Sequence, residues 1–539
     1  MKFVRLLFIF LFVFQFSSGQ TWQDTLSLID KQFSQYLPNN PGCQLSISRN
    51  GEIIFSKAWG MADLERVVPL STNSIFEAGS VSKQFTAAAI LLLEQQGKLS
   101  LDDNLRKYIP ELPDYGIPIT LRQMLHHTSG IRDWSDIVEL TGWPRGQKFY
   151  TNDDVLEIIS HQKHLNNKPG DKFSYSNSNY ILFAIIIKRV SGLSLAAFTQ
   201  KYIFDPAGML HTQWRDDPNR IVPNRAIAYS KSGSGFKTDM PNEYAYGHGG
   251  LLTTTEDLLK WNNFYQRGKF GTPSLLSKQI ETEPLNSGVM NPYAAGLFIN
   301  KVMGWDNISH DGATASYRAY LETFPELHLS ICILSNTSQF NIDNVESTIR
   351  KIFVPYKKGK IIKTDSGFKL SNAYLNNLAG MYVNERNRST FHLSVKGDTL
   401  MLDNYLPLRA SSKHIFKADN FLLEINGTKG SYIPFSPRDT IPFTKVKPAN
   451  LSKENIAIYE GNYFSGETNS LLTIHSDSSK LLIRLNVDKD YELIPTYKDA
   501  FTIDELGCNV QFIRSPQNKI SAIKFYFWRT LGIEFKKIN

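Results

Sequence analysis

Ser80 and Lys83 stand three residues apart in Phe76-Glu77-Ala78-Gly79-Ser80-Val81-Ser82-Lys83, just ahead of an Ala- and Leu-rich run. That spacing puts both side chains on one face of a helix. If Ser80 opens the helix, its N–H lies among the unpaired donors of the N-terminus, where negative charge is favoured. A hydroxyl to attack, an amine to take its proton and an N–H for an oxyanion are the parts that acyl transfer needs. The spacing alone is weak, because Ser160/Lys163, Ser234/Lys237, Ser366/Lys369 and Ser521/Lys524 share it. Among these only Ser80 precedes a long apolar helical run, which would bury the amine end against a core. The competing reading is a plain N-cap serine.

A second stretch, Phe173-Ser174-Tyr175-Ser176-Asn177, follows the turn at Pro169-Gly170 and offers a phenol and a carboxamide two residues apart. Tyr150/Asn152 and Tyr382/Asn384 repeat that spacing, so it too is unspecific by itself. A third stretch, Ser309-His310-Asp311-Gly312-Ala313, leads into a strand, and its glycine would let a substrate backbone approach closely. His248-Gly249-Gly250 is a rival to His310, better read as a glycine turn feeding a helix N-cap. Cys43, Cys332 and Cys508 are too few, and odd in number, for a disulfide framework. Cys332 lies in a strand-like apolar run and reads as an inert core residue. The histidines lack metal-site spacing and no glycine loop cradles a phosphate, so no cofactor or metal is expected.

The elements that must position these residues alternate between helix-like and strand-like as far as residue 354. Residues 44–48 and 53–59 flank Asn50-Gly51, a strong hairpin signal. Residues 85–96 form a helical run that Gly97 stops. Residues 317–324 and 329–335 read as another strand pair across Pro325-Glu326. Strands at both ends with helices between predict an α+β fold, an antiparallel sheet packed with helices in which the first and last strands are neighbours. After a polar, basic linker at 356–372 the text turns to short alternating strands and repeats itself. Leu378-Ala379-Gly380-Met381-Tyr382 resembles Tyr459-Glu460-Gly461-Asn462-Tyr463, and 393–402 aligns with 474–483 at the same offset. Two β-rich, barrel-like units at 373–450 and 451–539 follow from this pattern. Neither holds a nucleophile, base and acid together, so no chemistry is expected of them.

The first 19 residues read as a signal peptide: Lys2 and Arg5, an apolar run at 6–14, then Ser17-Ser18-Gly19. The run is too short to span a bilayer, and export with removal of the segment, without stable membrane insertion, is the expectation. The formal charge of +8 then falls to +6, with Lys and Arg scattered rather than massed, so nucleic acid is not an expected partner. A small molecule or a short peptide is. The spacing says nothing of oligomeric state.

Taken in order, Ser80-x-x-Lys83, Tyr175-x-Asn177 and His310-x-Gly312 resemble the serine β-lactamase and penicillin-binding-protein superfamily, in its class C-like branch with esterases and D-aminopeptidases. Leu125-His126-His127-Thr128-Ser129-Gly130 and Gly247-His248-Gly249-Gly250-Leu251 extend the likeness over roughly residues 44–336, and the tail resembles the paired barrels of D-aminopeptidase-like proteins. The resemblance implies a hydrolase domain over 20–355 acting on small esters, amides or D-amino-acid peptides, with no cofactor. It makes Ser80 the acylated nucleophile, Lys83 its partner amine, Tyr175 the general base and then proton donor, and Asn177 a substrate contact. The N–H groups of Ser80 and Ala313 would form the oxyanion hole. Lys and Tyr both titrate near pH 10 when free, so the residues leave open which is the base. The β-lactamases proper usually carry Lys where this chain has His310, and a histidine would hold a substrate carboxylate only partly at neutral pH. A binding module that has lost turnover, or a true β-lactamase, are the alternatives.

Overall fold

A computed structural model of the chain describes residues 22–36, 38–357, 368–434, 439–449, 456–477, 480–485 and 489–538. The expected signal peptide and residues 358–367 of the expected linker lie outside these. Six strands form one antiparallel sheet in the order Phe298–Val302, Trp305–Thr314, Tyr317–Phe324, Leu329–Ser335, Cys43–Arg49 and Glu52–Trp59. The first and last strands of the sequence-predicted domain are indeed neighbours, with Leu45 opposite Ile333. The hairpin turns where expected, because Asn50 and Gly51 both hold positive φ, 55° and 82°.

All seven residues of Leu329–Ser335 are buried, since helices cover both faces of the sheet. On one side Ile29 and Phe33 of the helix Trp22–Phe33 join Ile349 and Phe353 of Ile342–Phe353. On the other lies the larger core, centred on the helix Lys83–Gln95, whose Phe85, Ala87, Ala88, Ala89, Ile90, Leu91 and Leu93 are all buried. Its neighbour Asn177–Ser191 is buried over its first eleven residues. A helix buried on every side is a core helix, and whatever it carries at its N-terminus is fixed by packing. Cys43 and Cys332 are buried and unpaired, and behave as small apolar residues.

The tail forms two closed eight-stranded antiparallel barrels, from Gly380–Asn384 to Ile441–Val446 and from Gly461–Ser465 to Leu531–Lys537. The sequence repeat has a structural counterpart. Tyr382 donates its hydroxyl to Leu378 O and Tyr463 donates to Tyr459 O, both at 2.7 Å. Each tyrosine thus ties the first strand of its barrel back to the segment that leads into it.

The two barrels meet the helical domain differently. The first has its own core around Tyr382, Phe416 and Phe443 and makes a polar seam, with Asp439 taking both Lys172 (2.6 Å) and Arg386 (2.9 Å). The second shares the main core of the helical domain. Its contact is pinned by Arg132, 2% exposed, which pairs with Glu467 at 2.9 Å and donates to Leu531 O at 3.0 Å. Removing one partner of a buried pair strands the other charge, at a cost of about 3–5 kcal/mol. Arg132→Ala should therefore lower the melting temperature and speed protease cleavage between the helical domain and the second barrel. A melting curve matching that of the unaltered protein would show that the pair does not hold the barrel in place.

Candidate active site

Gly79–Ser82 forms one 3-10 turn that runs directly into the helix Lys83–Gln95. Ser80 therefore sits one turn ahead of the α-helix rather than opening it. The consequence for spacing is favourable, because residues three apart eclipse one another at three residues per turn. Lys83 Nζ lies 2.9 Å from Ser80 Oγ. Ser80 is half-buried at a cleft, while Lys83 is fully buried behind it.

The amine has two further contacts, with Asn177 Oδ1 at 2.9 Å and the His248 carbonyl oxygen at 2.6 Å. Both are acceptors only, so two N–H bonds of Lys83 point at them whatever its charge. The remaining tetrahedral position faces Ser80 Oγ. It holds a proton in the ammonium and a lone pair in the neutral amine. Burial pushes Lys83 well below its ordinary 10.5, helped by the Arg529 charge and opposed by Asp133. Tyr175 donates to the same Ser80 Oγ at 2.8 Å from the other side. Burial raises its pKa, with Arg529 opposing the rise. The desolvation that favours a neutral amine also favours a protonated phenol.

Asn177 is placed by the first turn of its helix. Its backbone N–H donates to Asp133 Oδ2 at 2.7 Å, which fixes that N-terminus. The Tyr175 ring rests on the His127 ring at a centroid distance of 4.3 Å. His127 is itself held at φ 53° and accepts from Ser176 N at 3.1 Å.

The strand Trp305–Thr314 closes the other side of the cleft. A Cβ on Gly312 would fall 2.1 Å from Ala78 O and 3.1 Å from Ser80 N, and one on Gly79 would fall 2.7 Å from Ala313 N. The glycine expected to admit a substrate backbone instead admits the chain's own turn. This close approach sets the N–H groups of Ser80 and Ala313 beside each other.

His310 departs from the expectation of a half-charged carboxylate contact. It is 2% exposed, and burial pushes its pKa down to about 4. Its Nδ1 must donate to Asp311 O at 2.6 Å, which leaves Nε2 to accept from the Tyr293 hydroxyl at 3.0 Å. It is a neutral, fully engaged wall residue.

The structure therefore brings Ser80, Lys83, Tyr175, Asn177, His310, Gly312 and Ala313 to one cleft. It adds groups that sequence reading missed. His248, which the sequence offered only as a rival to His310, contributes its carbonyl oxygen to Lys83, and backbone roles leave no side-chain signature. Asp133 fixes Asn177 from 44 residues away. Arg529, from the tail to which no chemistry was assigned, lies with its guanidinium carbon 4.9 Å from the Tyr175 ring centroid.

The beta-lactamase family model matches residues 29–351. The chain belongs to the beta-lactamase family. Over 344 residues it is 27% identical to a D-aminopeptidase of Gluconobacter oxydans, a match covering 63% of this chain and 64% of that protein. Among solved structures, an octameric penicillin-binding protein homologue from Pyrococcus abyssi shares the fold at a TM-score of 0.53 and 23% identity, over 78% of this chain and 99% of that one. A D-amino acid amidase from Ochrobactrum anthropi does so at 0.51 and 19%, over 61% and 96%. The family supports a hydrolase, and the two solved structures share the fold.

Two outcomes test the geometry. Because only the neutral amine can take a proton, inactivation by an uncharged fluorophosphonate should rise with pH through a Lys83 ionisation below 10.5, with no limb from His310 above about pH 5. Lys83→Arg should abolish that limb. Gly312→Ala should cut the same rate by roughly 100-fold or more, as loss of one oxyanion donor does, while leaving the circular dichroism unchanged.

Proposed function

We propose that this beta-lactamase family member is an exported serine hydrolase that works through an acyl-enzyme on Ser80. The observation that carries the reading is the arrangement around Lys83 Nζ, with two carbonyl acceptors behind it and the Ser80 hydroxyl in the third direction. In its neutral form Lys83 takes the Ser80 proton as Oγ attacks the substrate carbonyl carbon. The N–H groups of Ser80 and Ala313 receive the oxyanion. Tyr175 gives its proton to the departing amine or alkoxide, and the proton held on Lys83 replaces it. Water then attacks the acyl-enzyme by the same groups in reverse order. The opposite pKa displacements of Lys83 and Tyr175 favour the amine as base and the phenol as donor.

Small esters, amides and D-amino-acid peptides fit this chemistry, and the D-aminopeptidase relative supports the choice. A neutral His310 provides no fixed ammonium for the carboxylate of a β-lactam. The signal-like N-terminus supports the export in this reading. The deciding experiment treats the protein with a fluorophosphonate probe and maps the adduct by mass spectrometry, then screens D-aminoacyl amides, short-chain esters and nitrocefin. The adduct should lie on Ser80, and Ser80→Ala should lose it together with at least 1000-fold in turnover. Ligand binding that survives Ser80→Ala, with no turnover of any substrate by the unaltered protein, would instead mark a binding module.

A further inference from the structure

Tyr175 must be held by something other than its bond to Ser80, because in the reaction proposed above it gives its proton to the leaving group. It lies in irregular backbone between the turn at Gly170 and the helix Asn177–Ser191, so neither a strand nor a helix fixes it. One residue, His127, grips the chain on both sides of it. Ser174 N donates to the His127 carbonyl oxygen at 2.7 Å, and Ser176 N donates to His127 Nδ1 at 3.1 Å. The imidazole meanwhile packs on the Tyr175 ring, with 4.3 Å between centroids and 36° between planes.

The imidazole is committed to this place in one form. A backbone N–H only donates, so Nδ1 must accept, and Asn179 Nδ2 donates to it as well at 3.3 Å. The ring is therefore neutral, with its proton on Nε2. An imidazolium would turn a second N–H against those two donors, and burial in any case holds the pKa well below the ordinary 6.5. Nε2 is buried and has no hydrogen-bond partner among the described residues. Aromatic rings surround it instead, with Tyr293 at 4.7 Å and Tyr180 at 5.1 Å between centroids. His127 also keeps a left-handed backbone, φ 53°, although it is fully buried. An N–H without an acceptor and a strained backbone both work against stability, and such strain collects where a site needs it. A residue that only filled space here would be better apolar.

We propose that His127 is the positioning residue of Tyr175. Its carbonyl and Nδ1 clamp the backbone at Ser174 and Ser176, and its neutral ring sets the phenol over Ser80 Oγ, from where the proton passes to the leaving group. It carries no proton itself, because Nδ1 is occupied by two donors. The inference rests on the acyl-enzyme reading given above and supplies the means by which its proton donor is placed.

The test measures kcat/KM, which reports acylation, for acetate esters running from p-nitrophenyl to ethyl. p-Nitrophenolate leaves without a proton and ethoxide does not, so a misplaced phenol shows in the dependence on leaving group. His127→Asn removes the ring but keeps an oxygen near the place of Nδ1 and a residue type that accepts positive φ. Its loss on ethyl acetate should exceed its loss on p-nitrophenyl acetate by roughly 10-fold or more, part of what a positioned proton donor supplies. His127→Phe, which keeps a ring among the aromatic neighbours and removes the acceptor, is the second variant and should shift the dependence the same way. In a Tyr175→Phe background His127→Asn should add less than about threefold, because a residue acting through Tyr175 has nothing left to act on. Equal losses on every ester, or a full further loss in the Tyr175→Phe background, would make His127 a structural residue and overturn the proposal. So would a protein that labels at Ser80 with a fluorophosphonate yet hydrolyses none of the esters. Absence of labelling at Ser80 would instead sink the acyl-enzyme reading itself.

Discussion

The amine of Lys83 is buried completely, and the site is organised around that constraint. An ammonium in such a place costs several kcal/mol unless its protons are matched, so the fold supplies two fixed carbonyl acceptors and leaves the third direction to Ser80. Each acceptor belongs to a different part of the chain. Asn177 comes from a second core helix, and the His248 carbonyl from a glycine-rich turn. Moving any one of them leaves a buried polar group unpaired, so the positions of hydroxyl, amine and phenol are set by the same packing that stabilises the core. The low dielectric that makes the amine expensive to charge also favours its neutral form at pH values where a free lysine is fully protonated.

Around this centre lies a set of buried charges. Behind His248, the buried Glu243 pairs with the half-buried Arg145, and Glu77 pairs with Arg215 at 2.8 Å, both buried. Burial tends to neutralise the carboxyl of Glu243, but the guanidinium of Arg145 wins and holds its pKa low. Such pairs contribute little net stability, yet they tolerate few alternative arrangements. They hold the turn that carries the His248 carbonyl, and through it the amine.

The barrels extend the same principle across a domain boundary. Asp133 accepts from the backbone N–H of Asn177 on one side and is bracketed by Thr530 on the other, so the catalytic-side helix and the second barrel share one anchor. The turn that provides Thr530 also delivers Arg529 over Tyr175. The second barrel therefore helps to build the cleft, while the first, joined by a polar seam, has a separate core.

The sequence alone determined whatever is local or periodic. The hairpin at Asn50-Gly51, the apolar helix after Ser80 and the duplicated Gly-x-Tyr corner of the tail each follow from turn chemistry or hydrophobic period over a few residues. Ser80, Lys83, Tyr175 and Asn177 were legible because their types suit the chemistry at spacings that a helix or loop must respect. Tertiary structure decided the rest, because those features depend on atoms distant in the chain. The protonation of His310 is set by its burial against Tyr293, a carbonyl contact from His248 could have come from any residue type, and Gly312 is small because Ala78 O lies against it. Arg529 stands more than 350 residues from Tyr175, and no local pattern marks an arginine in a barrel turn as part of a cleft. Burial and long-range contact set charge and position, and a linear pattern encodes neither.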